Sequence, residues 1–172
     1  PAGTAHHNIH FGGQWDEAFD ALLRDGRRMP DPSILVTVPT VSDPALAPAG
    51  RHVRYVLEPV PNMSGRVDWH REREVVRDQL ASQVARLGYP ADVEVERLTD
   101  PLDWLEQGME RGTPFALAHR FFQTGPFRPH LEPRAHPGVV LVGSGTIPGV
   151  GIPMVLVSGK LAAARVERMA RS

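Results

Sequence analysis

The sequence predicts an α+β fold: an antiparallel sheet with helices packed on it, followed by a C-terminal strand-turn-helix unit. Three observations predict it. Two strand-like stretches, 33–38 (SILVTV) and 52–60, flank the proline-studded turn VSDPALAPAG at 41–50. The segment 68–87 places Val76, Leu80, Val84 and Leu87 at helical spacing. A glycine-rich run at 143–151 stands between the apolar tetrapeptide VVLV and a final helical pattern.

In order, residues 4–11 read as extended. Residues 14–25 read as a helix, with Trp15, Phe19, Leu22 and Leu23 at helical spacing and Gly26 where a C-cap belongs. The strands 33–38 and 52–60 form an antiparallel pair in which Val53, Tyr55 and Leu57 alternate with Arg54, Val56 and Glu58. Asp68 is the N-cap of the long helix, Gly88 stops it, and the charged run WHREREVVRD at 69–78 is a solvated face. A short alternating strand at 92–98 (DVEVERL) leads to Thr99, Asp100 and Pro101, where Pro101 opens a helix ending near Gly112. The proline-rich segment 126–137 separates two lobes.

Composition excludes several classes. A chain of 172 residues that is 41% hydrophobic buries one core or two joined lobes. A net charge of -1 leaves no electrostatic footprint for nucleic acid. The absence of cysteine removes disulfides and thiolate chemistry and fits a cytoplasmic protein. No apolar run approaches ~20 residues, so no membrane-spanning helix is expected. The chain opens on Pro1 rather than Met and reads as a fragment.

The run 139–165 organises the rest. Val139, Val140, Leu141 and Val142 predict a buried strand, and Gly143, Gly145, Gly149 and Gly151 a tight turn that bares the backbone. Pro153 then sits at the opening of a helix, where its missing N–H costs nothing. Strand, turn and helix N-terminus together present amides and the positive end of a dipole to an anionic cofactor. The spacing G-x-G-x-x-x-G is neither a dinucleotide fingerprint nor a Walker loop. The alternative is a turn whose glycines merely permit close packing.

Beyond the motif, the stretches FFQTGPFRPH at 121–130 and VVLVGSGTIPGVGIP at 139–153 resemble the C-terminal part of the bacterial-type phytoene desaturases, FAD-dependent enzymes of carotenoid synthesis within the amine oxidoreductase-like superfamily. AHHNIHFG at 5–12, PTVSDPALAPAG at 39–50 and YVLEPVPN at 55–62 agree in order, so the resemblance covers nearly the whole chain. The chain departs from the family pattern at Ile147 and Met154, and the N-terminal βαβ unit that holds the ADP half of FAD is not in it.

The resemblance implies a substrate-binding lobe over 1–112 and, over 113–172, the C-terminal part of an FAD-binding lobe. It places Gly143, Ser144 and Gly145 toward the pyrophosphate side of FAD, and Pro148, Gly149, Val150 and Gly151 beside the isoalloxazine ring. The helix from Ile152 and Pro153 points at the pyrimidine edge. It implies a long isoprenoid or carotenoid substrate in an apolar channel, lined by Phe115, Phe121, Phe122 and Phe127 together with the strands 34–38 and 53–57. FAD itself belongs to the full-length enzyme. The fragment alone is expected to be inactive and to need the missing N-terminal half.

No catalytic acid or base emerges. His6, His7 and His10 resemble a metal cluster, yet in an extended segment His7 points away from the other two, and polar strand positions account for all three. His119 and His130 are read as structural or proton-handling, and Arg128 as pairing with a carboxylate or an FAD phosphate or as packing a stiff loop. Residues 139–142 and the last helix around Val155, Leu156 and Leu161 are expected to expose apolar surface that favours a homodimer. A peripheral membrane position suits such a substrate, although acids offset the arginines. Three functions stand open: a carotenoid desaturase half, a related flavin oxidoreductase of another lipid or amine, and a non-catalytic binding or dimerising module.

Overall fold

The computed structural model describes residues 3–118 and 120–171. His119 lies outside the described residues. The chain divides into two compact units, Pro1–Gly112 and Thr113–Ser172.

The first unit is built on a three-stranded antiparallel sheet of order β1-β2-β3, with β1 at His7–His10, β2 at Ile34–Thr37 and β3 at Tyr55–Leu57. Ile9 pairs with Leu35 and Leu35 with Leu57, so these three share one face; Asn8, Val36 and Val56 share the other. The pairing of β2 with β3 follows the predicted hairpin. β3 is shorter than the predicted strand 52–60, and β1 joins β2 from the opposite edge.

Over the Val36 face lies α2, Trp69–Arg86, which starts at the predicted cap: the Asp68 carboxylate accepts the His70 N–H at 3.2 Å. Val84, Leu80 and Leu87 pack with Ile34, Val36, Val38 and Tyr89. Gly88 ends the helix at a φ of +88°, a conformation that favours glycine.

A second core cluster holds Trp69, Val76 and Leu102 with Val60, Met63 and Val67. It joins α2 to α3, Pro101–Glu106, whose N-cap Asp100 accepts the N–H groups of Leu102 and Asp103, while the Asp103 side chain returns to the Asp100 N–H at 2.8 Å. Arg73 reaches across from α2 to Asp100 at 3.3 Å and Asp103 at 3.2 Å. The run 69–78 is therefore not a plain solvated face: Trp69 is buried and Arg73 latches α3.

Two further expectations are corrected, and the helix expected over 14–25 is found over 15–24 with a change of winding. Residues 92–98 form no strand; without a neighbouring strand their amides have no ladder to join, and Val95 is 89% exposed. Ion pairs from Arg51 to Asp92 and Glu94, and from Arg77 to Glu96, tether the segment. The helix at 101 stops at Glu106 rather than near Gly112, and a 3-10 turn, Glu110–Gly112, follows. There Gly112 is compulsory: at φ +65°, a Cβ would stand 2.1 Å from the Pro101 carbonyl oxygen. The first helix is α1, Trp15–Phe19, continuing as a π-helical turn over Asp20–Arg24. Ala18 and Ala21 face inward, while Trp15, Phe19 and Leu23 stay exposed.

The second unit holds two 3-10 turns, Phe121–Gln123 and Gly125–Phe127, and one long helix, α4, Ile152–Met169. The strand expected at 139–142 does not form. Leu141 donates one N–H to the Leu131 carbonyl at 2.7 Å, and no strand in this unit pairs with it among the described residues. The unit is a glycine turn and a helix without the leading strand. Among the described residues no helix is long and apolar enough to cross a membrane.

Candidate functional site

The first half of the glycine turn is laced by groups from its own unit. The Gly143 N–H donates to the Ser158 hydroxyl at 3.0 Å, and Ser158, on the second turn of α4, is fully buried. The Thr146 hydroxyl donates to the Pro129 carbonyl at 2.6 Å, and the Ile147 N–H donates to the same oxygen at 3.1 Å. Ser144 offers its carbonyl to Arg128 Nη2 at 2.6 Å. The Ile147–Pro148 peptide bond is cis.

Gly143, Gly149 and Gly151 have φ values of +109°, +142° and +101°, so each adopts a backbone conformation that L side chains rarely reach. Gly145 shows neither a positive φ nor a neighbour: a Cβ there would meet nothing within 4 Å, as at Gly143 and Gly151. Close packing within the chain therefore does not account for these three glycines. They leave a strip of bare backbone facing open space.

Beside that strip begins α4. Gly151 is its N-cap and supplies no side-chain bond, Pro153 follows Ile152, and no acidic residue lies in the first turn. The helix end keeps its dipole charge, equivalent to roughly half an elementary charge, and its first amides uncapped by any side chain. Val150 lies half-buried between the two positive-φ glycines. An electron-rich group fits this arrangement chemically: bare backbone permits close approach, and uncapped amides with no acidic residue in the first turn favour negative charge.

Phe121, Phe122 and Phe127 come together. Their ring centroids lie 5.1, 5.5 and 5.3 Å apart, and all three rings are exposed. Phe115 is exposed too but makes no ring contact with them among the described residues. The predicted lining strands split: Ile34, Val36 and Val38 belong to the buried core, whereas Leu35, Leu57 and Tyr55 lie on the opposite sheet face, beside exposed Ile9. Phe11, Trp15 and Phe19 form an exposed aromatic row, with centroids 5.6 and 5.8 Å apart.

Each of His6, His7 and His10 has a plain partner. His6 shares a hydrogen bond with Ser42 at 2.8 Å, His7 with Thr37 at 3.0 Å, and His10 with Tyr89 at 2.9 Å. Among the described residues no group of His, Asp and Glu could hold a metal ion. His130 lines an open hollow of about 780 Å³ with Leu131, Leu141, Leu161 and the Glu132–Arg165 ion pair. Among the described residues Arg128 has no carboxylate partner; it is a buried guanidinium held by carbonyls.

Sequence reasoning missed Ser158, Thr146 and the row from Phe11 to Phe19. Ser158 had a readable signal, a hydroxyl within an otherwise apolar helix run. The row carried the four-residue spacing of Phe11, Trp15 and Phe19, whereas Thr146 depends on tertiary pairing and carried none.

Residues 8–167 match the family model described as flavin containing amine oxidoreductase. The chain is similar to the phytoene dehydrogenase of Streptomyces griseus, with 49% identity across 98% of this chain and 35% of the relative. It is also similar to the zeta-carotene-forming phytoene desaturase of Myxococcus xanthus, 38% identical across 97% of this chain and 33% of the relative. The lycopene-forming phytoene desaturase of Pantoea ananas is 32% identical, across 92% of this chain and 33% of the relative. The chain thus spans about a third of the length of the curated relatives it matches.

Proposed function

The chain belongs to the flavin containing amine oxidoreductase family, and on that premise we propose that it is the C-terminal portion of an FAD-dependent phytoene desaturase of carotenoid synthesis. The observation that carries this reading is the 49% identity to a phytoene dehydrogenase over 98% of the chain. Because the chain spans about a third of such relatives, the grip on the ADP half of FAD falls to an N-terminal portion outside it, and this chain alone is inactive.

Bound FAD supplies the chemistry, acceptance of a hydride from an allylic carbon of a long polyene. The chain contributes orientation, electrostatics and exclusion of water. Gly143, Ser144 and Gly145 would give the cofactor backbone to lie against, and Pro148, Gly149, Val150 and Gly151 would stand beside its ring. The uncapped start of α4 at Ile152 and Pro153 would favour negative charge on a flavin held there. Such a helix end contributes about 0.3–1 kcal/mol, more when partly buried.

A polyene hydrocarbon offers no hydrogen-bonding group, so its recognition rests on area, roughly 25 cal/mol per Å² removed from water. Phe115 and the clustered Phe121, Phe122 and Phe127 suit that task, as does the sheet face carrying Ile9, Leu35 and Leu57. Exposed rings of this kind also suit a peripheral position on the cytoplasmic side of a membrane in which such a substrate dissolves. Residues 139–142 and the exposed side of α4 supply a surface for the N-terminal portion or for a second copy.

The test is purification of the complete gene product followed by incubation with phytoene and an electron acceptor. A yellow protein with flavin absorbance that forms additional conjugated double bonds is expected. A flavin-bearing protein that leaves phytoene unchanged would point to another lipid or amine. A colourless one would remove the flavin reading altogether.

A further inference from the structure

Arg128 is 2% exposed, yet no carboxylate neutralises it among the described residues. Its guanidinium is held by backbone carbonyls: Nη1 donates to Gln123 at 3.1 Å and Nη2 to Ser144 at 2.6 Å. Nε is buried without a partner. Gly149 lies against the same group, where a Cβ would stand 3.8 Å from Nε and 3.9 Å from Cζ.

Removing a cation from water without an anion to meet it is unfavourable, and an apolar side chain of similar volume would fill the space with no such penalty. What an apolar residue cannot do is hold two backbone segments at the spacing and angle of a planar fork. The two segments differ in kind. Gln123 lies in the turn that carries Phe121 and Phe122 and leads to Phe127, whereas Ser144 opens the glycine turn.

We propose that Arg128 is a positioning residue that sets the phenylalanine cluster in register with the glycine turn. The functional consequence rests on the reading of these two places as polyene-facing and flavin-facing. Under that reading one guanidinium governs how the hydride donor is presented to the acceptor. The clamp itself does not depend on flavin and can be read in this chain.

Hydrogen exchange on this chain provides the first measurement. In Arg128→Lys, whose ammonium lacks the planar two-nitrogen fork that meets the two carbonyls, the amides of 121–128 and of 143–149 should both exchange about tenfold faster, as for loss of a charge-assisted hydrogen bond. The amides of α2 should be unchanged. In Arg128→Ala, millimolar methylguanidinium should restore protection to both segments and methylammonium should not, because shape as well as charge is required. Acceleration in one segment alone, or equal rescue by both cations, would overturn the clamp.

In the complete flavoprotein, Arg128→Lys should keep its flavin and its KM while kcat falls about tenfold, the effect of misaligned reacting groups rather than of lost binding. An unchanged kcat would overturn the positioning role even with the clamp intact. Absence of flavin from the unsubstituted complete protein would instead sink the cofactor reading and leave the exchange result standing.

Discussion

The phenol of Tyr89 and the imidazole of His10 meet at 2.9 Å, with their rings edge-to-face and centroids 5.6 Å apart. The contact ties edge strand β1 to the residue just beyond α2, across the core that Ile34 and Val36 share with Val84. Burial pushes the Tyr89 phenol above its ordinary value of 10.0, against a smaller opposing effect of Arg54. The folded chain therefore keeps a proton that the unfolded chain releases nearer pH 10, so this contribution to stability is intact below about pH 10 and is lost as pH rises through the raised folded value. Tyr89→Phe should cost about 1 kcal/mol near neutrality from the lost hydrogen bond and should flatten the alkaline decline. Urea midpoints at a series of pH values read both, and parallel profiles for the two proteins would contradict the assignment.

Asp100 caps α3 by accepting the N–H groups of Leu102 and Asp103 and receives Arg73 from α2. Asp100→Asn keeps most of the cap and loses the charge, whereas Asp100→Ala loses both. The expected losses are about 1 kcal/mol for Asn and about 2–3 kcal/mol for Ala. Chemical denaturation of the two variants side by side decides it; an Asn variant as stable as the wild type would mean that the Arg73 pair contributes nothing, and equal losses for Asn and Ala would mean that the cap contributes nothing.

Gly112 leaves no room for a side chain, with the Pro101 oxygen 2.1 Å and Met63 Cγ 2.9 Å from where a Cβ would lie. Gly112→Ala should destabilise by about 3 kcal/mol or more, since the obstruction is backbone and cannot swing aside. Thermal melts check it, and a shift of less than a few degrees would show that the loop relaxes freely.

Along α4, Leu156 is 70% exposed and Ile152 is 79% exposed. At micromolar concentration this chain should self-associate in sedimentation velocity, and Leu156→Lys should weaken that association at least about tenfold, the effect of truncating a central apolar contact. A wild-type chain that stays monomeric at high concentration would refute it.

What could be read along the chain was local. Asp68, Gly88, Asp100 and Pro101 announce helix ends through their own side chains or backbone freedom, and each stands at the end it announces. The positive φ angles at Gly143, Gly149 and Gly151 were legible for the same reason. Strands were not local in that sense. Residues 92–98 alternate and 139–142 are uniformly apolar, yet neither finds a partner strand among the described residues, while His7–His10, less strand-like in composition, pairs with β2. The clamp of Arg128 on Gln123 and Ser144 lay beyond pattern reading, because two carbonyls brought together by the turn carry no mark in the sequence. The phenylalanine cluster was legible as a set of residues and illegible as an arrangement: three rings meet and Phe115 stays outside.

Gly145 has an awkward implication for anyone mapping this protein by substitution. Neither torsion nor crowding forbids alanine there, so melting curves would score the position as dispensable, and by itself the chain would agree. Whatever demand exists for a naked α-carbon at that spot must come from a visitor, and it will surface only in a titration where the visitor is supplied.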